Sequence, residues 1–153
     1  MTSLCKEPVL VIAFNRPDKL TRLIDRLREV EPTTIFIAID GPRADKPDDV
    51  ELVQQCRDLI AEFDWNCSVQ TLVQEVNLGC GLAVSTAISW FFERVSRGII
   101  LEDDIIPTDD FFTYCSALLE RYQDDSRVFA ISGCNFVPPE AQSRPDLPYR
   151  FSQ

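Results

Sequence analysis

Val9-Leu10-Val11-Ile12-Ala13-Phe14, followed at once by Asn15-Arg16-Pro17, decides the fold class. The run is short, continuous and rich in β-branched residues. A strand with one wet face would alternate apolar and polar residues, so an unbroken apolar run predicts a strand buried on both faces, as in a parallel sheet covered by helices. Pro17 suits the first position of a helix, and Leu20, Leu23, Ile24, Leu27 and Val30 follow it at helical spacing until Pro32.

The same alternation continues outward. Thr34-Ile35-Phe36-Ile37-Ala38-Ile39 predicts a second strand closed by Asp40-Gly41-Pro42. Residues 43–49 read as a polar surface loop, and Leu52, Cys56, Leu59, Ile60 and Phe63 mark a second helix. Residues 68–73 form a third strand. Asn77-Leu78-Gly79-Cys80-Gly81 is a glycine turn opening a third helix, striped by Val84, Ala87, Ile88, Phe91 and Val95. Gly98-Ile99-Ile100-Leu101 is a fourth strand ending in Glu102-Asp103-Asp104. Thr108 stands where it can cap a fourth helix, with Asp109 and Asp110 at its positive end and Phe111, Phe112, Cys115, Leu118, Leu119 and Tyr122 along its apolar stripe. Val128-Phe129-Ala130-Ile131 reads as a fifth strand, and residues 134–153 as an irregular proline-rich tail.

The expected fold is therefore α/β: a three-layer sandwich around a mostly parallel, Rossmann-like sheet, forming a single domain over residues 1–153. Right-handed crossovers bring the carboxyl ends of all strands to one rim, where ligands of such sheets bind. Arg16, Asp40, the turn from Asn77 to Gly81, and Glu102-Asp103-Asp104 all follow strands directly, so four polar features converge on that rim.

Composition narrows the chemistry. The 153 residues contain no histidine and carry a formal net charge of -10. Histidine-based triads, dyads and zinc sites are excluded. The acidic balance disfavours nucleic acid and anionic lipid as partners, and it would repel a nucleotide diphosphate unless a cation or a local basic residue held it. The six cysteines, Cys5, Cys56, Cys67, Cys80, Cys115 and Cys134, include no C-x-x-C pair and read as mostly buried, reduced thiols. No signal-peptide or membrane-spanning run is visible, so a cytoplasmic protein is expected.

Glu102-Asp103-Asp104 is the sharpest chemical signal. Three consecutive carboxylates at the end of a buried strand resist desolvation and repel one another. A divalent cation with a preference for oxygen ligands, such as Mn²⁺ or Mg²⁺, relieves both costs. The plain alternative is a solvated acidic turn before a helix. Asp40 suits an acceptor for a base N–H, or equally a turn aspartate that bonds its own backbone. Arg16 suits a phosphate, or an exposed helix start. Asn77, Gly79 and Gly81 let backbone approach a ligand closely, or simply make a tight turn.

Taken in order, residues 9–14 with Asn15-Arg16-Pro17, the strand ending in Asp40, Asn77-Leu78-Gly79-Cys80-Gly81, and Ile99-Ile100-Leu101-Glu102-Asp103-Asp104 with Pro107 and Phe111-Phe112 resemble the GT-A glycosyltransferases. Among these the resemblance is to the N-acetylglucosaminyltransferase I family and its bacterial relatives, and it runs from about Pro8 onward. It implies a metal-dependent transferase that binds a nucleotide-diphosphate sugar, a UDP-sugar, for inverting transfer to an acceptor hydroxyl. The Glu-Asp-Asp strand end is that family's form of the Asp-x-Asp motif. Asp104 would then ligate Mn²⁺ or Mg²⁺, with Glu102 and Asp103 holding donor-sugar hydroxyls or metal-bound waters. Asp40 would read the uracil edge, Arg16 would lie against the nucleotide or its phosphates, and Asn77, Gly79 and Gly81 would border the donor pocket. Ser132-Gly133-Cys134-Asn135 resembles the strand leading toward the acceptor side.

The family pattern continues beyond the counterpart of Tyr149-Arg150-Phe151 into an acceptor-binding region that also supplies the catalytic base. The resemblance thus implies a donor half without its acceptor half. No catalytic base is assigned in this chain, and self-association through an unfinished core is expected. The alternative is a truncated or degenerate nucleotide-sugar-binding domain with no independent transferase activity. A receiver-like signalling domain also places acids on the rim, but needs an acidic pair where this chain has Asn15-Arg16. A sugar nucleotidylyltransferase needs a glycine-rich signature after the first strand, which is missing.

Overall fold

The computed structural model describes residues 5–134 and Tyr149. Four strands, β1 (Val9–Ala13), β2 (Thr34–Ile39), β3 (Ser68–Val73) and β4 (Ile99–Glu102), alternate with α1 (Pro17–Val30), α2 (Asp48–Asp58) and α3 (Cys80–Phe92), and α4 (Asp109–Arg121) follows β4. The sheet is wholly parallel, in the order β3-β2-β1-β4. It is an α/β sandwich of Rossmann-like form.

The alternation of the strands explains the layers. Val9, Val11 and Ala13 of β1, Ile35, Ile37 and Ile39 of β2, and Ile99 and Leu101 of β4 point to one face. There they meet Leu20, Leu23, Ile24, Leu27 and Val30 of α1, Val53 and Cys56 of α2, and Phe112 and Cys115 of α4. Leu10, Phe36 and Ala38 point to the other face and pack on Ala87 and Phe91 of α3. Phe36 meets Phe91 and Trp90 edge-on, with ring centroids 4.9 and 5.2 Å apart. Such contacts add to the burial of the rings themselves.

Strand order dictates which helix covers which face. The chain steps from β1 to β2 to β3 in one direction, with α1 and α2 on one face. It then returns past β1 to place β4 on the far side. A right-handed crossover in the reversed direction must run over the opposite face, and α3 does so. Strand order thus reverses between β1 and β4, whose carboxyl ends mark the position of the crevice in which open α/β sheets bind ligands.

Several expectations need correction. The Val128–Ile131 segment makes no strand, and Phe129 is fully exposed. The topology supplies the reason. Helix α4 returns on the face of α1, where Arg26 donates to the Pro107 carbonyl at 2.6 Å. From that face a right-handed crossover into a further parallel strand leads back toward β1, whose flank is already taken. Helix α2 begins at Asp48, earlier than the loop expected over residues 43–49, and its buried side carries Asp49 and Val53 where Leu52 was expected. Thr108 stands at the N-cap of α4 without a side-chain capping hydrogen bond. Only Cys5, Cys56 and Cys115 are buried, whereas Cys80 and Cys134 are exposed. The tail expected over 134–153 lies outside the described residues, save Cys134 and Tyr149. Among the described residues, no helix is long and apolar enough to cross a membrane.

Candidate functional site at the sheet rim

The ends of β1 and β4 are stitched by backbone before any side chain acts. The Asp103 amide donates to the Ile12 carbonyl at 3.0 Å, and the Asp40 amide to the Ala13 carbonyl at 3.1 Å. Asp103, β1 and Asp40 therefore stand in one row along the rim.

Arg16, in the turn between β1 and α1, bridges the acids across the crevice. Its Nη1 donates to Asp104 Oδ2 at 2.9 Å and its Nε to Asp103 Oδ2 at 3.3 Å, while Nη2 donates to Asp103 Oδ1. The planar fork thus grips Asp103 with two nitrogens and Asp104 with the third, a geometry lysine cannot reproduce. The environments of the two acids differ sharply. The Asp103 side chain is 1% exposed, against 39% for Asp104 and 44% for Arg16. Burial pushes the Asp103 carboxyl above its ordinary value, outweighing the downward pull of Arg16. The Arg16 guanidinium is itself opposed by burial, but the hydrogen bond and charge of Asp103, aided by Asp104, carry it upward. Glu102 faces the other side of β4, where it is exposed next to the partly exposed Ile100.

Asp40 is buried, and its carboxylate organises the neighbouring loop. Oδ1 accepts from the amides of Gly41 and Leu78, both at 2.9 Å, and Oδ2 accepts from Asn77 Nδ2 at 2.8 Å. Asn77 Nδ2 also reaches the Gly41 carbonyl at 2.9 Å. The turn-aspartate role and the rim position are therefore combined in one residue. An ionised carboxylate has about four acceptor sites, so three bonds leave one for a further donor. Gly79 adopts φ 77, a left-handed value suited to glycine, at the N-cap of α3. Gly81 lies in the first turn of that helix, with open space around it.

Beside Asp40 lies a small cavity of ≈ 10 Å³, lined by Ile12, Ala13, Ala38, Leu72, Gln74 and Ala83 among others. This is room for about one water. A nucleobase is too large for the cavity as it stands.

Of the residues singled out in the sequence, the structure brings Arg16, Asp103 and Asp104 into direct contact and ties Asp40 to Asn77. It leaves Glu102, Gly79 and Gly81 on the same rim without side-chain contacts to either group. Sequence reasoning missed Asp49. This buried acid accepts from Asn15 Nδ2 at 2.7 Å and from Arg43 Nε at 2.6 Å, bracing the β1 turn against α2. The doublet Asp48-Asp49 at a helix start was its only signal. Sequence also missed that Asp109 is engaged by Arg26 of α1.

Among the described residues, no group of three or more His, Cys, Asp or Glu side chains is close enough to hold a metal ion unaided. What the site offers is two hard-oxygen carboxylates gathered at one point beside a guanidinium. No protein-family model matches the chain.

Proposed function

We propose that this chain is the nucleotide-sugar-binding domain of a metal-dependent glycosyltransferase of GT-A type, taking a UDP-sugar as donor for inverting transfer to a hydroxyl acceptor. The observation that carries the reading is the convergence of Asp103, Asp104 and Arg16 at the crevice where strand order reverses. Ligands of open α/β sheets bind at that crevice, and this one holds the side chains a diphosphate with its cation requires.

The donor set fits Mn²⁺ or Mg²⁺. These ions commonly take one or two carboxylates, with the remaining positions filled by water and substrate phosphate. Asp104, more exposed and held by a single bond, is the direct ligand in this reading, and Asp103 steadies it from the buried side. When bound, the cation would neutralise charge building on the leaving diphosphate. Arg16 orients phosphate oxygens through its fork. Asp40 offers its remaining acceptor site to a base N–H, with Asn77, Gly79 and Gly81 bordering the donor pocket. Glu102, on the open side of β4, faces the space for the sugar.

A second reading, a domain that holds the nucleotide sugar without transferring it, is favoured by the capture of Asp109 by Arg26, which withdraws an acid near the rim from service as a base.

Calorimetric titration with a panel of nucleotides and nucleotide sugars, with and without Mn²⁺, tests the proposal. UDP compounds should bind only with the metal, and Asp104→Ala should abolish that binding while leaving the melting temperature near wild type. Unchanged UDP binding in Asp104→Ala would overturn the assignment. Metal-dependent binding without release or transfer of sugar would select the second reading.

A further inference from the structure

The bridge made by Arg16 has a consequence for how ligands enter. A guanidinium and a divalent cation compete for the same carboxylate oxygens, because each satisfies them by charge. We propose that Arg16 is the resident counter-ion of Asp103 and Asp104, and that a cation gains Asp104 only when a diphosphate draws the guanidinium away. Cation and nucleotide thereby bind as a coupled pair. The inference rests on the donor-site reading above and adds a binding order to it.

The asymmetry of the contacts supports the exchange. Arg16 holds Asp103 through Nε and Nη2, and Asp103 is buried and anchored to β1 by its own backbone amide. It holds Asp104 through Nη1 alone, at 2.9 Å, and that carboxylate is 39% exposed. The Asp104 contact is thus the one that opens at least cost, and the half-exposed Arg16 side chain has solvent to swing into.

Charge fixes the order. Two carboxylates and one guanidinium sum to -1, which repels a diphosphate. A cation arriving alone at Asp104 meets a guanidinium already on Oδ2, and the like charges oppose each other. A cation arriving with a diphosphate meets no such conflict, because phosphate oxygens accept the arginine fork as well as carboxylates do. Each ligand then raises the affinity of the other by the same factor, as linkage requires.

The test measures Mn²⁺ binding by electron paramagnetic resonance, with and without UDP, in wild type, Arg16→Met and Arg16→Lys. Wild type should bind Mn²⁺ weakly alone and at least roughly tenfold more tightly with UDP. Arg16→Met should bind Mn²⁺ alone roughly tenfold more tightly than wild type and lose most of the gain from UDP. Arg16→Lys, which keeps a charge without the fork, should fall between.

Arg16→Met leaves the buried Asp103 without a charged partner, which threatens folding, so wild-type nitrogen-15 spectra supply a second readout. The Arg16 Nη–H signals should stay in place with Mg²⁺ alone and shift with Mg²⁺ and UDP together. Wild type that binds UDP with metal, but shows Nη–H signals moved by Mg²⁺ alone or by neither addition, overturns the exchange and leaves the donor site standing. Wild type that binds no UDP under any condition overturns both.

Discussion

The carboxylate of Asp40 and the carboxamide of Asn77, 37 residues apart in sequence, are joined by a hydrogen bond of 2.8 Å. The contact links the end of β2 to the loop that opens α3, and the same carboxylate accepts the amides of Gly41 and Leu78. Removing it orphans the amides of Gly41 and Leu78 and leaves Asn77 Nδ2 only the Gly41 carbonyl, in a partly buried setting. Asp40→Ala should therefore cost about 2–4 kcal/mol, and Asn77→Ala about 1–2 kcal/mol, in urea denaturation. Amide hydrogen exchange at Leu78 should quicken in Asp40→Ala. Equal, near-zero costs for both variants would mean that the loop is held by something else.

Asp49 should govern part of the acid sensitivity. The hydrogen bond from Arg43 holds its carboxyl well below the usual carboxylate range, against the opposing effect of burial and with help from Asn15. A depressed pKa means that the folded state holds the ionised form more strongly than the unfolded chain does. The associated stability is present above the unfolded value near pH 4 and is lost as pH falls toward the folded one. Denaturation curves from about pH 6 to pH 2 should show a smaller loss in Asp49→Asn than in wild type. Parallel losses in the two proteins would remove Asp49 from the account.

The thiols should divide by burial. Burial pushes Cys56 and Cys115 up to about 11, whereas Cys80 and Cys134 are exposed. At pH 8 an aromatic disulfide reagent should label Cys80 and Cys134 promptly, and Cys56 and Cys115 only as the protein unfolds. A raised thiol pKa contributes stability below the unfolded value, near pH 8.5, that is lost as pH rises toward 11. The Cys56→Ala and Cys115→Ala double variant should show a flatter alkaline decline. Prompt labelling of Cys115 in the native protein would contradict its place on the buried face of α4.

The linear order of residues was enough to place four strands and to predict the buried environment of β1 and β2. Thr34–Ile39 and Ser68–Val73 form strands at the expected bounds, and Val9–Ala13 ends one residue before the expected Phe14. For β1 and β2 the reason is local: an apolar run reads as a strand buried on both faces, and Pro17 and Pro32 bound α1 through their own rings. That the polar residues after the strands share a rim also followed, since parallel strands with right-handed crossovers leave no other arrangement.

What the tertiary structure decided is which of those residues touch. Nothing in the chain order states that Arg16 grips Asp103 and Asp104, that Asp40 spends three acceptor sites on its own loop, or that Asp49 is a buried brace. Those pairings arise because β1 lies between β2 and β4, a neighbour relation set by packing across the whole sheet. The failure of Val128–Ile131 to join the sheet has the same origin. Its residues favour a strand, but a right-handed return over the face of α4 meets no open parallel partner among the described strands, and pairing is a property of two segments, never of one.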